Sequence, residues 1–237
     1  MKALILAGGQ GLRLRPLTDD RPKPLVAVGG RPIAERQLDW LLQNVELEEA
    51  IFLCGYKWTK LKEHFGSDYK GVRIEYSVEE SPLGTGGAFR KAIEGAGLAD
   101  EDVVMMNGDI ITELPLREMI EAHALAPSHP TVTILLVPYR SRFGIVHMDR
   151  RNLVTGFEEK PEFKDVWING GIYVANAKKL LPSLPAKGDI ERETFPELAA
   201  SGQVLAHPFK GFWSLVDSIK DIQEVEKQLA PSLGRQK

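Results

Sequence analysis

Leu6-Ala7-Gly8-Gly9-Gln10-Gly11-Leu12-Arg13-Leu14 joins a short apolar run to three glycines and a guanidinium. Glycine admits positive φ and lets the backbone come close to a ligand. Successive backbone N–H groups in such a loop make a concave anion site. Arg13 adds a permanent charge and a planar fork of donors. Lys23 follows in Arg21-Pro22-Lys23-Pro24-Leu25, where the flanking prolines limit the directions its ammonium can take. The chemistry this favours is the holding of a phosphate chain. A P-loop would end in Gly-Lys-Ser/Thr, and a dinucleotide fingerprint would carry a third glycine opening a helix. Here Leu14 follows the Gly9-x-Gly11 pair, and Pro16, Pro22 and Pro24 argue against a long helix.

The combination Gly9-x-Gly11-x-Arg13-Leu14-x-Pro16-Leu17-Thr18 with Pro22-Lys23-Pro24-Leu25 resembles the sugar-1-phosphate nucleotidyltransferases, and the likeness recurs over about residues 1–230. The resemblance implies an enzyme that joins a nucleoside triphosphate to a sugar 1-phosphate and releases pyrophosphate, with Mg²⁺ as cofactor. It implies that Leu6, Ala7, Gly8, Gly9 and Gly11 hold the nucleotide, with Arg13 on the pyrophosphate portion and Lys23 on the reacting α-phosphate.

Glu79-Glu80-Ser81-Pro82-Leu83-Gly84-Thr85-Gly86-Gly87-Ala88 resembles the family segment that contacts the base, which assigns Glu79, Glu80, Pro82, Gly84 and Thr85 to nucleotide binding. Thr85 also suits the N-cap of a following helix. A carboxylate can accept from guanine N1–H and its 2-amino group, whereas uracil and thymine suit an amide better. Relatives using dTTP or UTP commonly place Gln where Glu79 and Glu80 stand, so GTP is favoured. UTP, dTTP and CTP stay open, since Gly211-Phe212-Trp213…Asp217 resembles cytidylyltransferases. Asp109 ends the apolar run Val103–Met106 through Asn107-Gly108, and by resemblance it binds Mg²⁺. Such a cation takes one or two carboxylates plus phosphates. Asp217 is the second candidate ligand, although it could instead cap the last helix, and Asp221 is a weaker substitute.

The sugar-phosphate residues implied by resemblance are Gly144, Glu159, Lys160, Asn169 and Gly170, in Phe143-Gly144-Ile145-Val146, Phe157-Glu158-Glu159-Lys160-Pro161 and Ile168-Asn169-Gly170-Gly171. Glu159 can accept from sugar hydroxyls and Lys160 can meet the phosphate as a point charge. Out of context, Glu-Glu-Lys reads as a solvated charge run. The sugar phosphate is already ionised at neutral pH, so no Ser, Cys or His nucleophile is required. Two rivals stay open: a non-catalytic nucleotide-sugar sensor on the same fold, favoured because relatives commonly read Trp-x-Asp-x-Gly-Thr where Asp217 here lies four residues after Trp213 and is followed by Ser218-Ile219, and an NAD-dependent dehydrogenase, against which stands this chain's lack of the third glycine and of a suitably placed ribose acid.

The elements that must position these residues alternate. Ala3–Ala7, Ala50–Cys54, Val72–Tyr76, Val103–Met106 and Thr131–Val137 read as strands. Leu38–Val45, Trp58–Phe65, Thr85–Ala96 and Leu116–His123 read as helices between them. This predicts an α/β fold: a Rossmann-like, mainly parallel sheet with helices on both faces, its ligand edge beyond the strands' carboxyl ends. Gly144–Val174 reads as a small antiparallel β insertion over the active site, and helices follow near Glu191–Ala200 and Ile219–Leu229. A single domain over 1–230 is expected, with a nucleotide-binding half over about 1–140, a sugar-phosphate half over about 141–230 and a frayed tail over 231–237. No hexapeptide repeat follows, so no acyltransferase domain of that kind is expected.

The composition is that of an ordinary globular chain. It has 237 residues, 43% apolar and 27% charged, with a formal net charge of −3 from 30 basic and 33 acidic residues. No strong basic excess points to a nucleic-acid polymer. Cys54 stands alone, so no internal disulfide forms, and the five histidines lack zinc spacing. The N-terminal apolar run is too short and glycine-broken for a signal peptide, and no stretch reaches a membrane span. The cytoplasm is expected, and a homo-oligomer is left open.

Overall fold

The structure, a computed structural model, describes residues 1–233. It opens with β1 (Lys2–Ala7), a nearly continuous apolar run. After the glycine loop come two 3₁₀ turns, Leu12–Leu14 and Lys23–Leu25, then the antiparallel pair β2 (Ala27–Val28) and β3 (Arg31–Pro32). α1 (Ile33–Asn44), β4 (Glu49–Cys54), α2 (Trp58–Phe65), β5 (Asp68–Tyr69), β6 (Val72–Val78), α3 (Gly84–Gly95) and β7 (Asp102–Asn107) continue the β/α alternation. β8 (Ile110–Thr112), α4 (Leu116–Leu125) and β9 (Val132–Arg140) precede the hairpin of β10 (Ile145–Met148) and β11 (Val154–Glu158). The chain then forms β12 (Glu162–Asn176), α5 (Ala177–Leu180), α6 (Thr194–Ala200), β13 (Val204–Pro208), β14 (Trp213–Leu215) and α7 (Ile219–Leu233).

Eight strands make one sheet in the order β13-β9-β12-β7-β1-β4-β6-β5. β7, β1, β4 and β6 are mutually parallel neighbours, and β13 runs parallel to β9. β12 is antiparallel to both β7 and β9, and β5 is antiparallel to β6. The central strands divide their side chains between two cores. Ala3, Ile5 and Ala7 of β1 and Phe52 of β4 face Leu38 and Leu41 of α1 and Leu61 and Phe65 of α2. Leu4, Ile51 and Leu53 face Phe89 and Ile93 of α3 and Phe195 and Leu198 of α6. Burial on both faces is why these strands read as continuous apolar runs. No helix among the described residues is long and apolar enough to cross a membrane.

Three expectations need adjustment. The segment expected as one antiparallel insertion divides: the β10–β11 hairpin stands outside the main sheet, while β12 enters it between β7 and β9. Gly170–Ala175 are buried, which commits that half of β12 to the sheet interior. β13 at the sheet edge and the one-turn α5, capped by Asn176 accepting from the Lys179 N–H at 3.1 Å, were not foreseen. Helix α7 continues through Leu233, so residues 231–233 extend it; the remainder of the expected tail, 234–237, lies outside the described residues.

Cys54 closes β4 with no exposed surface, and burial pushes its thiol up to about 12. A thiolate is required for nucleophilic attack. Native protein at pH 8 is therefore expected to leave a disulfide reagent such as DTNB unreacted, with one thiol titrating after urea unfolding. Rapid labelling without denaturant would contradict this burial.

Candidate active site

Because β1, β4, β6 and β7 run parallel, the residues after their carboxyl ends share one edge. Gly8 and Gly9 follow β1, Gly55 and Tyr56 follow β4, Glu79 and Glu80 follow β6, and Gly108 and Asp109 follow β7. They enclose a cavity of about 950 Å³. Its wall includes Leu6, Ala7, Gly8, Gly9, Gly11, Arg13, Lys23, Glu79, Glu80, Pro82, Gly84, Thr85, Asp109 and Asp217. The whole nucleotide and metal set expected from the sequence thus converges on one space.

The glycine loop turns at Gly11, which is left-handed at φ 61°. A side chain there would be strained and would crowd Thr18 and Lys23, with a Cβ 3.0 Å from Thr18 Cγ2. The buried Thr18 hydroxyl donates to Gly11 O at 2.9 Å and locks the turn. Among the described residues, the backbone N–H groups of Gly9, Gln10 and Gly11 have no partner within the chain, which leaves them available to an anion. A third apolar cluster of Leu14, Val26, Val28, Ile33, Ile111, Val216, Ile222 and Val225 packs the 12–33 segment against β8 and α7. That packing carries Lys23 and Arg13 to the end of the chain.

There Lys23 Nζ donates to Asp109 Oδ2 at 2.7 Å and Asp217 Oδ1 at 3.0 Å, while Arg13 Nη1 lies 2.5 Å from Asp217 Oδ2. The Lys23 and Asp217 side chains are only 12% and 14% exposed, whereas Arg13 is 74% exposed. The inner pair is thus shielded and the guanidinium stands in solvent. Two devices bring the carboxylates together. Gln37, buried on α1, donates to Asn107 O and Ile110 O at 2.9 Å each and holds the turn that carries Asp109. β14 pairs with β8, and Val216 N–H donates to Asp109 O at 2.8 Å, setting Asp217 beside Asp109. The helix cap falls to other residues: Ser218 Oγ accepts from Asp221 N–H at 3.3 Å, and Asp221 Oδ2 accepts from Asp217 N–H at 3.0 Å. Asp217 is therefore free of the capping role, and Asp221 is engaged in it.

These two carboxylates fit a hard cation. Each already coordinates one shared ammonium, and Asp109 Oδ1 is buried with no hydrogen-bond partner. Among the described residues no group of three or more His, Cys, Asp or Glu side chains is arranged around a metal position. A cation bound here must take its other ligands from phosphate and water, which is the habit of Mg²⁺.

At the other end of the cavity, Glu79 Oε2 accepts from Leu83 N–H at 3.0 Å. Glu79 Oε1 lies against the α-carbons of Gly8 and Gly55, each of which would place a Cβ 2.8 Å from it. The carboxylate is so fixed by backbone, and no larger residue fits at either glycine without moving it. Glu80 is exposed on the rim. Thr85 does not cap α3, whose N-cap is Leu83. Its hydroxyl donates to Glu191 Oε2 at 2.6 Å and accepts from Ile190 N–H at 3.0 Å. Gly86 and Gly87 N–H donate to Gly188 O at 3.0 and 3.3 Å, so the 188–191 turn occupies the space in front of the helix and takes the bonds a cap would make.

None of the expected sugar-phosphate residues lines that cavity, and they fall in two places, the hairpin and β12. Gly144 and Glu159 face each other across the foot of the hairpin, where a Cβ on Gly144 would lie 3.0 Å from Glu159 Oε2. Lys160 is left-handed at φ 47° with Nζ 3.8 Å from Glu159 Oε1, both exposed. Asn169 and Gly170 sit in a register shift of β12. Asn169 donates to the Tyr173 hydroxyl and accepts from Gly171 N–H, both at 2.9 Å. Trp213 Nε1 donates to Gly170 O at 2.8 Å. Gly171, at φ 66°, has no room for a side chain beside Asn107, which does line the cavity: a Cβ would lie 2.7 Å from Asn107 Nδ2. Trp213 is thus a brace for this bulge. Trp167 is half-buried beneath Lys210, whose Nζ is 5.7 Å from its ring centre.

Several residues of the site escaped the sequence reading. Gly55 and Tyr56 follow a buried strand and carry the positional signal used for Asp109. Asn107 ends β7 and carries it too, whereas Gln37 acts only through the backbone it binds and Asp189 comes from a turn in the other half of the chain, so neither carries it.

The chain belongs to the nucleotidyl transferase family, whose model matches residues 2–232. It is 37% identical over 229 residues to a mannose-1-phosphate guanyltransferase of Pichia angusta, covering 93% of this chain and 62% of that protein. It is 36% identical over 176 residues to the D-glycero-alpha-D-manno-heptose 1-phosphate guanylyltransferase of Aneurinibacillus thermoaerophilus, covering 74% of this chain and 75% of that one. The chain spans less than two thirds of the length of the mannose-1-phosphate relatives. Among solved structures, HddC from Yersinia pseudotuberculosis superposes with a TM-score of 0.75 at 25% identity, over 96% of this chain and 99% of that one.

Gly108 leaves no room for a side chain, since a Cβ would lie 2.0 Å from Leu6 O. Gly108→Ala is expected to cost at least about 1–3 kcal/mol by overpacking, read as a lower urea midpoint. An unchanged midpoint would show that the β1 and β7 ends are not in this contact.

Proposed function

We propose that the chain transfers a guanylyl group from GTP to a mannose- or heptose-type sugar 1-phosphate, giving GDP-sugar and pyrophosphate. The observation that carries this reading is one cavity with two ends: Arg13, Lys23, Asp109 and Asp217 at one, Glu79 at the other. The guanylyltransferase relatives support the base and the sugar class.

The oxygen of the sugar phosphate attacks the α-phosphorus of GTP in line. A new P–O bond forms as the bond to the β-phosphate breaks, and pyrophosphate leaves with the electron pair. The attacking oxygen is already ionised, so catalysis rests on position and charge. The N–H groups of Gly9 to Gly11 and the Arg13 guanidinium bind the leaving pyrophosphate portion. Lys23 meets the α-phosphate, where charge builds in the transition state. Asp109 and Asp217 would hold Mg²⁺, which supplies further neutralisation of phosphate charge. Glu159 and Lys160 bind sugar hydroxyls and sugar phosphate, with Gly144, Asn169 and Gly170 against the ring. Glu79 accepts from guanine N1–H and the 2-amino group, and its charge opposes the carbonyl oxygens of uracil and thymine.

The test is pyrophosphate release with Mg²⁺, crossing GTP, UTP, dTTP, CTP and ATP with mannose-, glucose- and heptose-1-phosphate. Release that requires GTP and one sugar phosphate is expected. Release with UTP in preference would overturn the base assignment, and binding of GDP-sugar without turnover would favour a sensor. Lys23→Ala is expected to keep its fold and lose on the order of 10²-fold or more in kcat; near-normal turnover would remove Lys23 from the mechanism. Glu79→Gln is expected to lower the GTP-to-UTP ratio of kcat/KM by about tenfold, roughly one charge-assisted hydrogen bond. An unchanged ratio would free Glu79 of base selection.

A further inference from the structure

Lys23 spends two of its three N–H donors on carboxylates. Its ammonium is taken up by Asp109 Oδ2 and Asp217 Oδ1, one oxygen of each carboxylate proposed to hold the cation. Arg13 engages the other oxygen of Asp217, and Asp109 Oδ1 is the one carboxylate oxygen of the pair left without a partner. Two positive and two negative charges therefore balance within this cluster. A divalent ion entering while Lys23 stays would face the ammonium at close range in a shielded site, where Coulomb repulsion is strong. If Lys23 leaves with no anion to receive it, a mostly buried ammonium loses both of its partners.

We propose that Lys23 is the resident counter-ion of the Asp109–Asp217 pair and that a divalent cation and Lys23 exclude each other there. The cation position then opens when a triphosphate draws Lys23, and with it Arg13, onto the phosphate chain. Removal of the two cations leaves the paired carboxylates with a net double negative charge, to be met by the divalent ion. By linkage the coupling is reciprocal: nucleotide raises affinity for the cation as much as the cation raises affinity for nucleotide. The proposal rests on the assignment of Asp109 and Asp217 as cation ligands under Proposed function.

The test is Mn²⁺ binding to nucleotide-free protein, followed by the electron paramagnetic resonance of free Mn²⁺. Lys23→Met removes the charge while keeping much of the side-chain volume, and is expected to bind Mn²⁺ at least tenfold more tightly than the native chain. The gain is expected to vanish in Lys23→Met with Asp217→Asn, and Lys23→Arg, which keeps the charge, is expected to match the native chain. Lys23→Gln serves as the uncharged variant should Lys23→Met fail to fold, judged by its melting curve. Equal Mn²⁺ affinity in the native chain and the uncharged variant would overturn the proposal. Failure of the underlying assignment has its own signature. With the αβ-methylene analogue of GTP bound to the native chain and to Asp217→Asn, Mn²⁺ uptake unaffected by Asp217→Asn would show that the carboxylates are not the ligands.

Discussion

One ammonium joins three parts of the chain that are far apart in sequence. Lys23 comes from the turn after the glycine loop, Asp109 from the end of β7, and Asp217 from the junction of β14 and α7. A shielded charge without a partner is costly, so the arrangement is coherent only with all three present. The surrounding packing reflects this. The apolar cluster of Leu14, Val26, Ile111, Val216 and Ile222 supports the ion cluster from behind, and the β8–β14 pair fixes the distance between the carboxylates.

A second constraint is the crowding of backbone at the sheet's carboxyl edge. Gly8, Gly55 and Gly108 allow the ends of β1, β4 and β7 to approach each other and Glu79 without intervening side chains. Each parallel strand can then present its terminal residue to the same space. The cavity wall so formed combines the backbone N–H groups of Gly9 to Gly11, the paired charges of Lys23, Asp109 and Asp217, and the Glu79 carboxylate.

The second half of the chain reaches this space through braces rather than through the sheet alone. The 188–191 turn is tied to the start of α3 by Thr85, Gly86 and Gly87, and it brings Asp189 into the cavity wall. Trp213 holds the bulge at Gly170, and that bulge rests on Asn107 through Gly171. Of the proposed sugar-binding residues, Asn169 and Gly170 are therefore braced against the wall of the cavity while standing apart from it. The hairpin that carries Gly144 and Glu159 is joined to the rest by fewer buried groups, since most of its side chains are exposed.

The sequence by itself determined the parallel sheet, because strands buried on both faces must be apolar throughout, and this shows in Ala3–Ala7, Ala50–Cys54 and Val103–Met106. It also determined the glycine loop after β1, since glycine spacing and the prolines around Lys23 are local properties. Gly55 and Tyr56 were legible by the same rule of position after a strand. Tertiary structure decided the rest. Asp217 as cap or as cavity carboxylate turned on Ser218 and Asp221 taking the capping bonds and on Val216 bonding to Asp109. The alternative role of Thr85 as an N-cap gave way to bonds with a turn from the other half of the chain. Gln37 and Asp189 drew their roles from neighbours across the fold. Periodicity reports which side of an element is buried, and turn residues report local backbone needs. Neither reports which distant group meets a given polar side chain, because that is settled when the elements pack.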